Sequence, residues 1–240
     1  MSKKKKLLKF SQNKTFPNFF EPVFNFTNPA DFEFKSKWNE LYFKNGNPII
    51  LELGCGKGEY TVELSKKIPE FNYIGVDIKG ARMWKGATEA LNSKLPNTAF
   101  VRTFIEYIDY CFGKDEVSEI WITFPDPHLS PRKRIRKRLT SSVFLSKYQR
   151  ILKNNGIINL KTDDEVLYHY TKAVVLLNDL KIIADTEDLY NSDYFTDILA
   201  IKTFYERMWN KEGKTIKYLS FLLPENKILK EPPIDDEKQN

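Results

Sequence analysis

The stretch that decides the fold is residues 49–58, which read IILELGCGKG. Its first half is apolar apart from Glu52, as is typical of a buried strand, and its second half has glycine at every other position. Glycine lets a backbone approach a ligand closely and adopt positive φ, and a helix starting near residue 58 would present free N–H groups. This combination predicts a site for a nucleotide-like ligand, with a simple turn as the alternative.

Apolar runs alternate with longer amphipathic stretches on either side of this segment. Strands are predicted near 48–53, 71–77, 97–102, 118–124, 156–162, 180–187 and 214–222. Helices are predicted near 31–44, 58–68, 79–93, 140–153, 164–178 and 200–211. This alternation is typical of an α/β fold in which helices cover both faces of a mostly parallel sheet.

A length of 240 residues suits one α/β domain and is too short for two comfortable ones. The domain is expected over 31–224. Residues 1–30 are rich in Lys, Asn, Phe and Pro without a helical or alternating period, which predicts a basic, extended arm. Residues 225–240 are polar, with a Pro-Pro pair and an acidic stretch, and are expected to form a frayed tail.

The composition argues against several classes of protein. Apolar residues make up 41% of the chain, which is more than a disordered chain carries. No stretch approaches the roughly 18 apolar residues of a membrane span, and no signal peptide follows the lysine run at 3–6. Cys55 and Cys111 can form no disulfide framework, and with the two histidines they lack any metal-ligand spacing. We therefore expect a cytoplasmic protein without metal or membrane contact.

Two carboxylates flank the glycine loop. Asp77 closes the second predicted strand, where it can accept hydrogen bonds from ribose hydroxyls, and Glu52 directly precedes the loop. Glu59 stands where a dinucleotide binder needs its third glycine, which disfavours NAD. The negative charge of Glu52 suits the ammonium and sulfonium of S-adenosylmethionine better than a pyrophosphate. The candidate cofactor-binding residues are therefore Glu52, Gly54, Gly56, Gly58 and Asp77.

A second candidate segment is Pro125-Asp126-Pro127, which follows the fourth predicted strand. The carboxyl end of a strand in an open α/β sheet faces the ligand crevice, and the flanking prolines would hold Asp126 in one conformation. Asp126 is therefore the candidate catalytic residue and a further cofactor contact. The alternative is a proline-punctuated turn with an incidental acid.

Six basic residues follow Asp126 closely: Arg132, Lys133, Arg134, Arg136, Lys137 and Arg138. They and the lysine run concentrate the net charge of +6. Such a cluster fits a solvated face, a localisation signal or a polyanion contact. Because it adjoins Asp126, a nucleic acid held by the cluster would present a base to the crevice.

With these motifs the chain resembles the bacterial tRNA (guanine-N7-)-methyltransferases. The resemblance is carried by LELGCGKG at 51–58, FPDP at 124–127, LKTD at 160–163 and TFYER at 203–207, and it extends to FPNFF at 16–20. The first motif occurs in many methyltransferases, whereas the other three in this order are far more specific. The resemblance implies a Rossmann-like, seven-stranded class I methyltransferase fold, S-adenosylmethionine as donor, and tRNA as partner, methylated at N7 of guanosine 46 in the variable loop.

The resemblance also implies roles for individual residues. Glu52 and Asp77 match the family's cofactor contacts, and Asp126 matches its cofactor-side and catalytic acid. The family's substrate-binding positions fall on Asp163, Thr203, Phe204, Tyr205 and Glu206. Asp163 could equally cap the following helix. Phe204, Tyr205 and Trp209 could stack on a guanine, but their helical spacing also suits core residues.

The chain departs from the family pattern at two places. Thr103 stands where the family has an acid near the adenine, so Thr103 or backbone N–H groups are expected there. The loop after Asp126 is one residue longer and has His128-Leu129 where the family commonly has tryptophan. The family's substrate-contacting lysine therefore has two candidate equivalents, Ser130 and Arg132.

Guanine N7 has an in-plane lone pair and no proton, so methyl transfer needs alignment more than a general base. Asp126 and Asp163 are expected to orient the base by accepting from its N1–H and N2–H2 groups, with Glu206 sharing that task. The alternatives are an amino-group methyltransferase and an RNA-binding relative without activity. A monomer is expected, and a homodimer stays open.

Overall fold

A computed structural model describes residues 3–24, 32–129 and 132–233, without the side chains of residue 3 and of 132–134. Its strands are β1 Phe19–Phe20, β2 Ile49–Leu53, β3 Asn72–Asp77, β4 Thr98–Arg102, β5 Val117–Thr123, β6 Leu152–Thr162, β7 Ile182–Thr186 and β8 Lys217–Leu223. Its α-helices are α1 Lys3–Asn13, α2 Glu59–Lys67, α3 Gly80–Asn92, α4 Ile108–Cys111, α5 Ser142–Tyr148, α6 Glu165–Leu177 and α7 Phe204–Lys211. A π-helix spans Trp38–Phe43, and 3-10 helices span Ile105–Tyr107, Arg132–Lys137 and Leu189–Asn191.

All of these strands join one sheet in the order β1-β4-β3-β2-β5-β6-β8-β7. The pairings are parallel except those of β8, which runs antiparallel to both β6 and β7. The expected α/β fold with a mostly parallel sheet is therefore confirmed. The sheet has eight strands rather than the expected seven, because Phe19 and Phe20 pair with β4 at its edge.

Helices cover both faces of this sheet. β2 alternates its side chains between the two faces, and all of its residues are buried. Leu51 and Leu53 pack into the core cluster that contains Phe144 of α5 and Leu167 of α6. Ile50 packs on the opposite face, in a cluster that contains residues of α2. The glycine loop after β2 therefore emerges between two helical layers.

The extended conformation predicted for the N-terminal arm is wrong over α1. This helix is held by packing on α3: Asn13 Nδ2 donates to the Gly80 carbonyl at 2.9 Å, and the Lys9 ammonium lies 4.4 Å from the Trp84 ring centroid. Its lysine-rich sequence has a weak apolar stripe, so tertiary contacts decide the conformation. Residues 25–31 of the arm and its boundary lie outside the described residues.

Other boundaries also differ from the predictions. The helix predicted over 140–153 ends at Tyr148, because the following residues turn into β6. The helix predicted over 200–211 begins at Phe204. The frayed tail is wrong over 225–233, where the Lys230 N–H donates to Asn178 Oδ1 at 2.7 Å; residues 234–240 lie outside the description.

Two searches of the described residues have negative results. None of the helices in this part of the chain has the length and apolarity to cross a membrane. Within the same residues, no group of three or more His, Cys, Asp or Glu side chains could hold a metal ion.

One ion pair lies wholly inside the fold. Lys161 of β6 and Glu206 of α7 are both 0% exposed, with Nζ and Oε1 2.8 Å apart. The Lys161 ammonium also donates to the carbonyls of Leu199 at 2.7 Å and Ile201 at 3.0 Å. Burial lowers the pKa of Lys161 below its ordinary value, although the adjacent Glu206 carboxylate opposes this effect. The pair fastens residues 199–206 to the sheet and thereby sets where α7 begins.

Replacing Glu206 with glutamine should therefore destabilise the protein strongly. The substitution leaves the buried ammonium without its counter-charge, a loss worth about 3–5 kcal/mol in the free energy of unfolding. Urea denaturation of the variant measures it. Glu212→Gln, at the exposed end of the same helix, is the control, with an expected change of at most about 0.5 kcal/mol. Similar losses in both variants would contradict the role assigned to the pair.

Candidate functional site

The carboxyl ends of β2, β3, β5 and β6 open into a cleft of about 730 Å³, which the start of α7 also lines. Most of the candidate residues from the sequence meet here. Those that line the cleft are Glu52, Gly54, Gly56, Asp77, Asp126, Asp163, Thr203, Phe204 and Tyr205. The structure thus brings together residues that lie more than a hundred positions apart in the chain.

The glycine loop adopts the backbone conformation expected of it. Gly56 has φ +55° and Gly58 has φ +69°, values that residues with a side chain rarely take. A Cβ on Gly58 would also lie 2.5 Å from Cε1 of Phe100. Gly58 therefore allows α2 to start close to the sheet, without lining the cleft itself.

Asp77 holds this loop in place. Its Oδ2 accepts from the Gly56 N–H at 2.9 Å, and its Oδ1 accepts from the Lys79 N–H at 2.8 Å. Each carboxylate oxygen can accept a second hydrogen bond. Asp77 can therefore fix the loop and bind a ligand hydroxyl at the same time.

Glu52 is buried at the base of the cleft and is held by two threonines. Its Oε2 accepts from both the N–H and the hydroxyl of Thr61, and its Oε1 accepts from Thr123 Oγ1 at 2.7 Å. Burial raises its pKa to about 7, against the opposing effect of the threonine hydrogen bonds. Sequence reasoning missed both threonines, although Thr123 ends the strand that neighbours β2.

Asp126 is the exposed acid of the cleft, with 75% of its side chain accessible. Its Oδ1 accepts from the His128 N–H at 3.0 Å. On either side, Phe124 and His128 have positive φ values of +50° and +46°. Such values in residues with a side chain persist only where the surroundings impose them. The loop thus has a defined shape that presents the carboxylate to the cleft.

The start of α7 forms the wall beside the glycine loop. Thr203 caps the helix by accepting from the Glu206 N–H at 3.2 Å. Phe204 is 45% exposed, its N–H donates to Glu59 Oε2 at 2.6 Å, and the Lys57 ammonium lies 3.3 Å from its ring centroid. Tyr205, whose hydroxyl accepts from Arg82, and Trp209 also line the cleft. The alternative placement in the core is therefore wrong for Phe204, whereas Trp209 lines the cleft and also packs against the second core cluster.

Asp163 lies across the cleft and is not a helix cap. The cap of α6 is Asp164, whose Oδ1 accepts from the Leu167 N–H at 2.7 Å. Asp163 Oδ2 instead pairs with the Lys214 ammonium at 3.0 Å. This ammonium also lies 3.6 Å from the Trp209 ring centroid. Lys214 was not predicted from the sequence, because only the folded chain brings it to Asp163.

Besides Gly58, three candidates are placed elsewhere or not described. Glu206 is fully buried against Lys161, so the structure corrects its predicted contact with substrate. Thr103 is buried, with its N–H donating to the Asp77 carbonyl at 3.2 Å, and does not line the cleft. Ile105 lines the cleft instead. Arg132 lies in a 3-10 helix, and its side chain is outside the described part of the chain.

Comparison with known sequences gives one consistent family. A family model described as putative methyltransferase matches residues 46–219. A protein of Bacteroides fragilis named tRNA (guanine-N(7)-)-methyltransferase is 50% identical over 234 residues, which cover 98% of this chain and 92% of the relative. Proteins of the same name from Porphyromonas gingivalis and Listeria monocytogenes are 49% and 35% identical, covering 93% and 80% of this chain and 92% and 86% of the relatives.

Solved structures with a similar fold are also methyltransferases. The 16S rRNA methyltransferase KamB superposes with a TM-score of 0.60 at 13% identity, covering 82% of this chain and 96% of its own. A 16S rRNA (adenine(1408)-N(1))-methyltransferase variant from Catenulisporales acidiphilia, solved with its cosubstrate SAM, gives 0.54 at 14% identity, with coverages of 86% and 96%. At these identities the likeness concerns the fold, and it confirms the class I methyltransferase architecture. The sequence relatives show that this chain belongs to the tRNA (guanine-N7-)-methyltransferase family.

Proposed function

We propose that the protein transfers a methyl group from S-adenosylmethionine to N7 of a guanosine in tRNA, at position 46 of the variable loop. One observation carries the proposal: buried acids beside the glycine loop and an exposed acid, Asp126, line the same cleft. The relatives' shared name over nearly the full chain supports the choice of substrate.

The side of the cleft around the glycine loop suits the cofactor. S-adenosylmethionine supplies an electrophilic methyl group on a sulfonium centre when it is bound. Ionised Glu52 would attract the cationic methionine end, and Asp77 would accept from ribose hydroxyls while it holds Gly56. Ile78 and Ile105 line the same cleft and offer an apolar surface to adenine. In this proposal the side chain of Ile105 takes the place expected for Thr103.

The other side of the cleft suits a flipped or loop-exposed guanine. Phe204, Tyr205 and Trp209 offer aromatic surfaces on which a base can stack. Asp126 and Asp163 would accept from guanine N1–H and N2–H2, which adenine does not offer in this arrangement. No proton leaves N7, so these residues act by aligning its lone pair with the methyl group.

Basic segments near the cleft suit the phosphates of an RNA. Residues 3–14 contain six lysines, and residues 3–20 contain no acid. The lysines at 4–6 are exposed on α1. This helix packs on α3, whose Arg82 lines the cleft. The basic run at 132–137 follows the Asp126 loop closely, and Arg136 and Lys137 are exposed, whereas Arg138 is buried. A polyanion bound to these segments would be held next to the cleft.

The reaction itself is the first test. We expect labelled methyl from S-adenosylmethionine to appear in unmodified tRNA, and borohydride with aniline to cleave that tRNA at its variable-loop guanosine, since this treatment cuts at N7-methylguanosine. A transcript with adenosine at position 46 is the control and should stay uncleaved. Labelling without cleavage would indicate another methylated atom, and absence of labelling would refute the proposed activity.

Glu52 should make cofactor binding depend on pH. Because burial raises its folded-state pKa to about 7, it is neutral below that pH and carries its charge above it. Affinity for S-adenosylmethionine should therefore rise towards pH 7, by up to about tenfold per pH unit, and then level off. By the same linkage, the contribution of protonated Glu52 to the stability of the ligand-free fold is lost as pH rises through about 7.

Calorimetric titration of the cofactor at a series of pH values measures this dependence. Glu52→Gln, which stays neutral, should bind more weakly above pH 7 and lose the pH dependence. Glu70→Gln, an exposed position after α2, is the control and should retain it. A pH dependence that survives in Glu52→Gln would assign it to another group.

Asp126 should matter for turnover more than for cofactor binding. Asp126→Asn keeps the shape of the side chain but removes the charge that would orient the guanine, so kcat should fall by about 100-fold. The Kd for S-adenosylmethionine should change little. Asp115→Asn, which keeps a residue that tolerates the positive φ of that exposed position, is the control. Equal losses in kcat and cofactor affinity would assign Asp126 to the cofactor alone.

A further inference from the structure

The C-terminal segment, residues 225–233, runs back over α5 and α6 towards the Asp126 loop. Gln149 Nε2 of the turn after α5 donates to the carbonyls of Pro224 at 2.7 Å and Lys227 at 3.0 Å. The side chain of Asn178, at the end of α6, makes two hydrogen bonds with the backbone of Lys230. Its Oδ1 accepts from the Lys230 N–H at 2.7 Å, and its Nδ2 donates to the Lys230 carbonyl at 2.8 Å. Leu229 packs against the main core. These contacts bring Glu231 to a defined place.

Glu231 joins three elements through one carboxylate. Its Oε2 accepts from the Ser142 N–H at 2.9 Å and from the Ser142 hydroxyl, at the first residue of α5. Its Oε1 accepts from the hydroxyl of Tyr170 on α6. Both carboxylate oxygens thus accept hydrogen bonds from groups that lie outside the C-terminal segment.

Tyr170 in turn supports a buried arginine. The guanidinium of Arg138 lies 4.4 Å from the Tyr170 ring centroid, and Arg138 is only 4% exposed. Burial lowers the pKa of Arg138, while Tyr170, Asp164 and Glu231 oppose that effect. The Glu231 carboxylate, which accepts from the Tyr170 hydroxyl, attracts the guanidinium and polarises the ring that lies against it. Both effects stabilise a charged group that is largely removed from water.

Arg138 holds the peptide next to Asp126. Its Nε donates to the Pro127 carbonyl at 2.7 Å. Proline has no N–H, so this carbonyl is the only backbone hydrogen-bonding group of Pro127. The same planar peptide unit carries the His128 N–H at its other end, and that N–H donates to Asp126 Oδ1 at 3.0 Å. A rotation of the peptide would therefore break both hydrogen bonds together.

We propose that Glu231, Tyr170 and Arg138 are positioning residues that orient the Asp126 carboxylate through the peptide between Pro127 and His128. The C-terminal segment then contributes to methyl transfer through Glu231, although Glu231 does not line the cleft. The inference rests on the proposed role of Asp126 in methyl transfer. The claim that these residues hold the peptide between Pro127 and His128 in place can be tested without any substrate.

The kinetic test compares two glutamates of the same segment. Tyr170→Phe removes the hydroxyl that donates to Glu231, and Glu231→Gln removes the negative charge and one of the two accepting oxygens. Both leave the ring of residue 170 beneath Arg138. Each should lower kcat by about tenfold, with little change in KM for tRNA or in Kd for S-adenosylmethionine. Glu225→Gln is the matched control, because its carboxylate pairs with the exposed Lys114. It should leave kcat unchanged.

The double variant Glu231→Gln with Tyr170→Phe separates positioning from independent damage. If the residues act as one chain of contacts, it should lose no more activity than the worse single variant. All assays are run well below the melting temperature of each variant, so that unfolding does not enter the rates. Multiplied losses, or losses matched by weaker cofactor binding, would overturn the proposal.

Hydrogen exchange tests the same inference without turnover. Peptides that cover Phe124–Leu129 should exchange faster in Glu231→Gln and Tyr170→Phe than in the parent protein, because the peptide beside Asp126 is less firmly held. Glu225→Gln should leave them unchanged. Unchanged exchange in all variants would refute the positioning role even if methyl transfer is confirmed. Faster exchange would support it even if the substrate proves to be another RNA.

Discussion

The ion pair between Lys161 and Glu206 is the interaction on which the shape of the cleft depends. Two opposite charges without access to water require each other, so β6 and α7 cannot separate without a large cost in free energy. Lys161 also binds the carbonyls of the segment that leads into α7. The aromatic wall at Phe204 and Tyr205 is thereby built on the central sheet rather than on a surface loop.

Three acids of the cleft, Glu52, Asp77 and Asp126, differ in how they are held. Glu52 and Asp77 are buried and already accept hydrogen bonds from the protein, so their positions are fixed before any ligand arrives. Asp126 is largely exposed and is held through a neighbouring peptide instead. In the proposed reaction, acids fixed in advance suit the small methyl donor, which must bind in the same position at each turnover, whereas an acid at the surface suits a base that enters from a large RNA.

Patterns that are local in the chain predicted the fold and many of the residues that line the candidate cleft. The glycine loop, Asp77 and Asp126 were found because each lies at or near the carboxyl end of a strand, and the carboxyl ends of parallel strands meet at one edge of the sheet. Contacts that depend on tertiary packing could not be found this way. Glu206 was assigned to the substrate because it lies in a motif shared with the family, and the motif does not reveal that this side chain faces Lys161 inside the fold. The partner of Asp163, Lys214, lies far along the chain.

The position of β8 has a consequence for how the protein folds. This strand is the last in the described chain, yet it lies between β6 and β7, and β7 pairs with no other strand. During synthesis from the N-terminus, β6 therefore keeps an open edge and β7 stays unpaired until β8 has emerged. Unpaired edges are where chains associate wrongly. The nascent protein is thus most prone to aggregation just before β8 completes the sheet. A chaperone that shields strand edges would act at that stage.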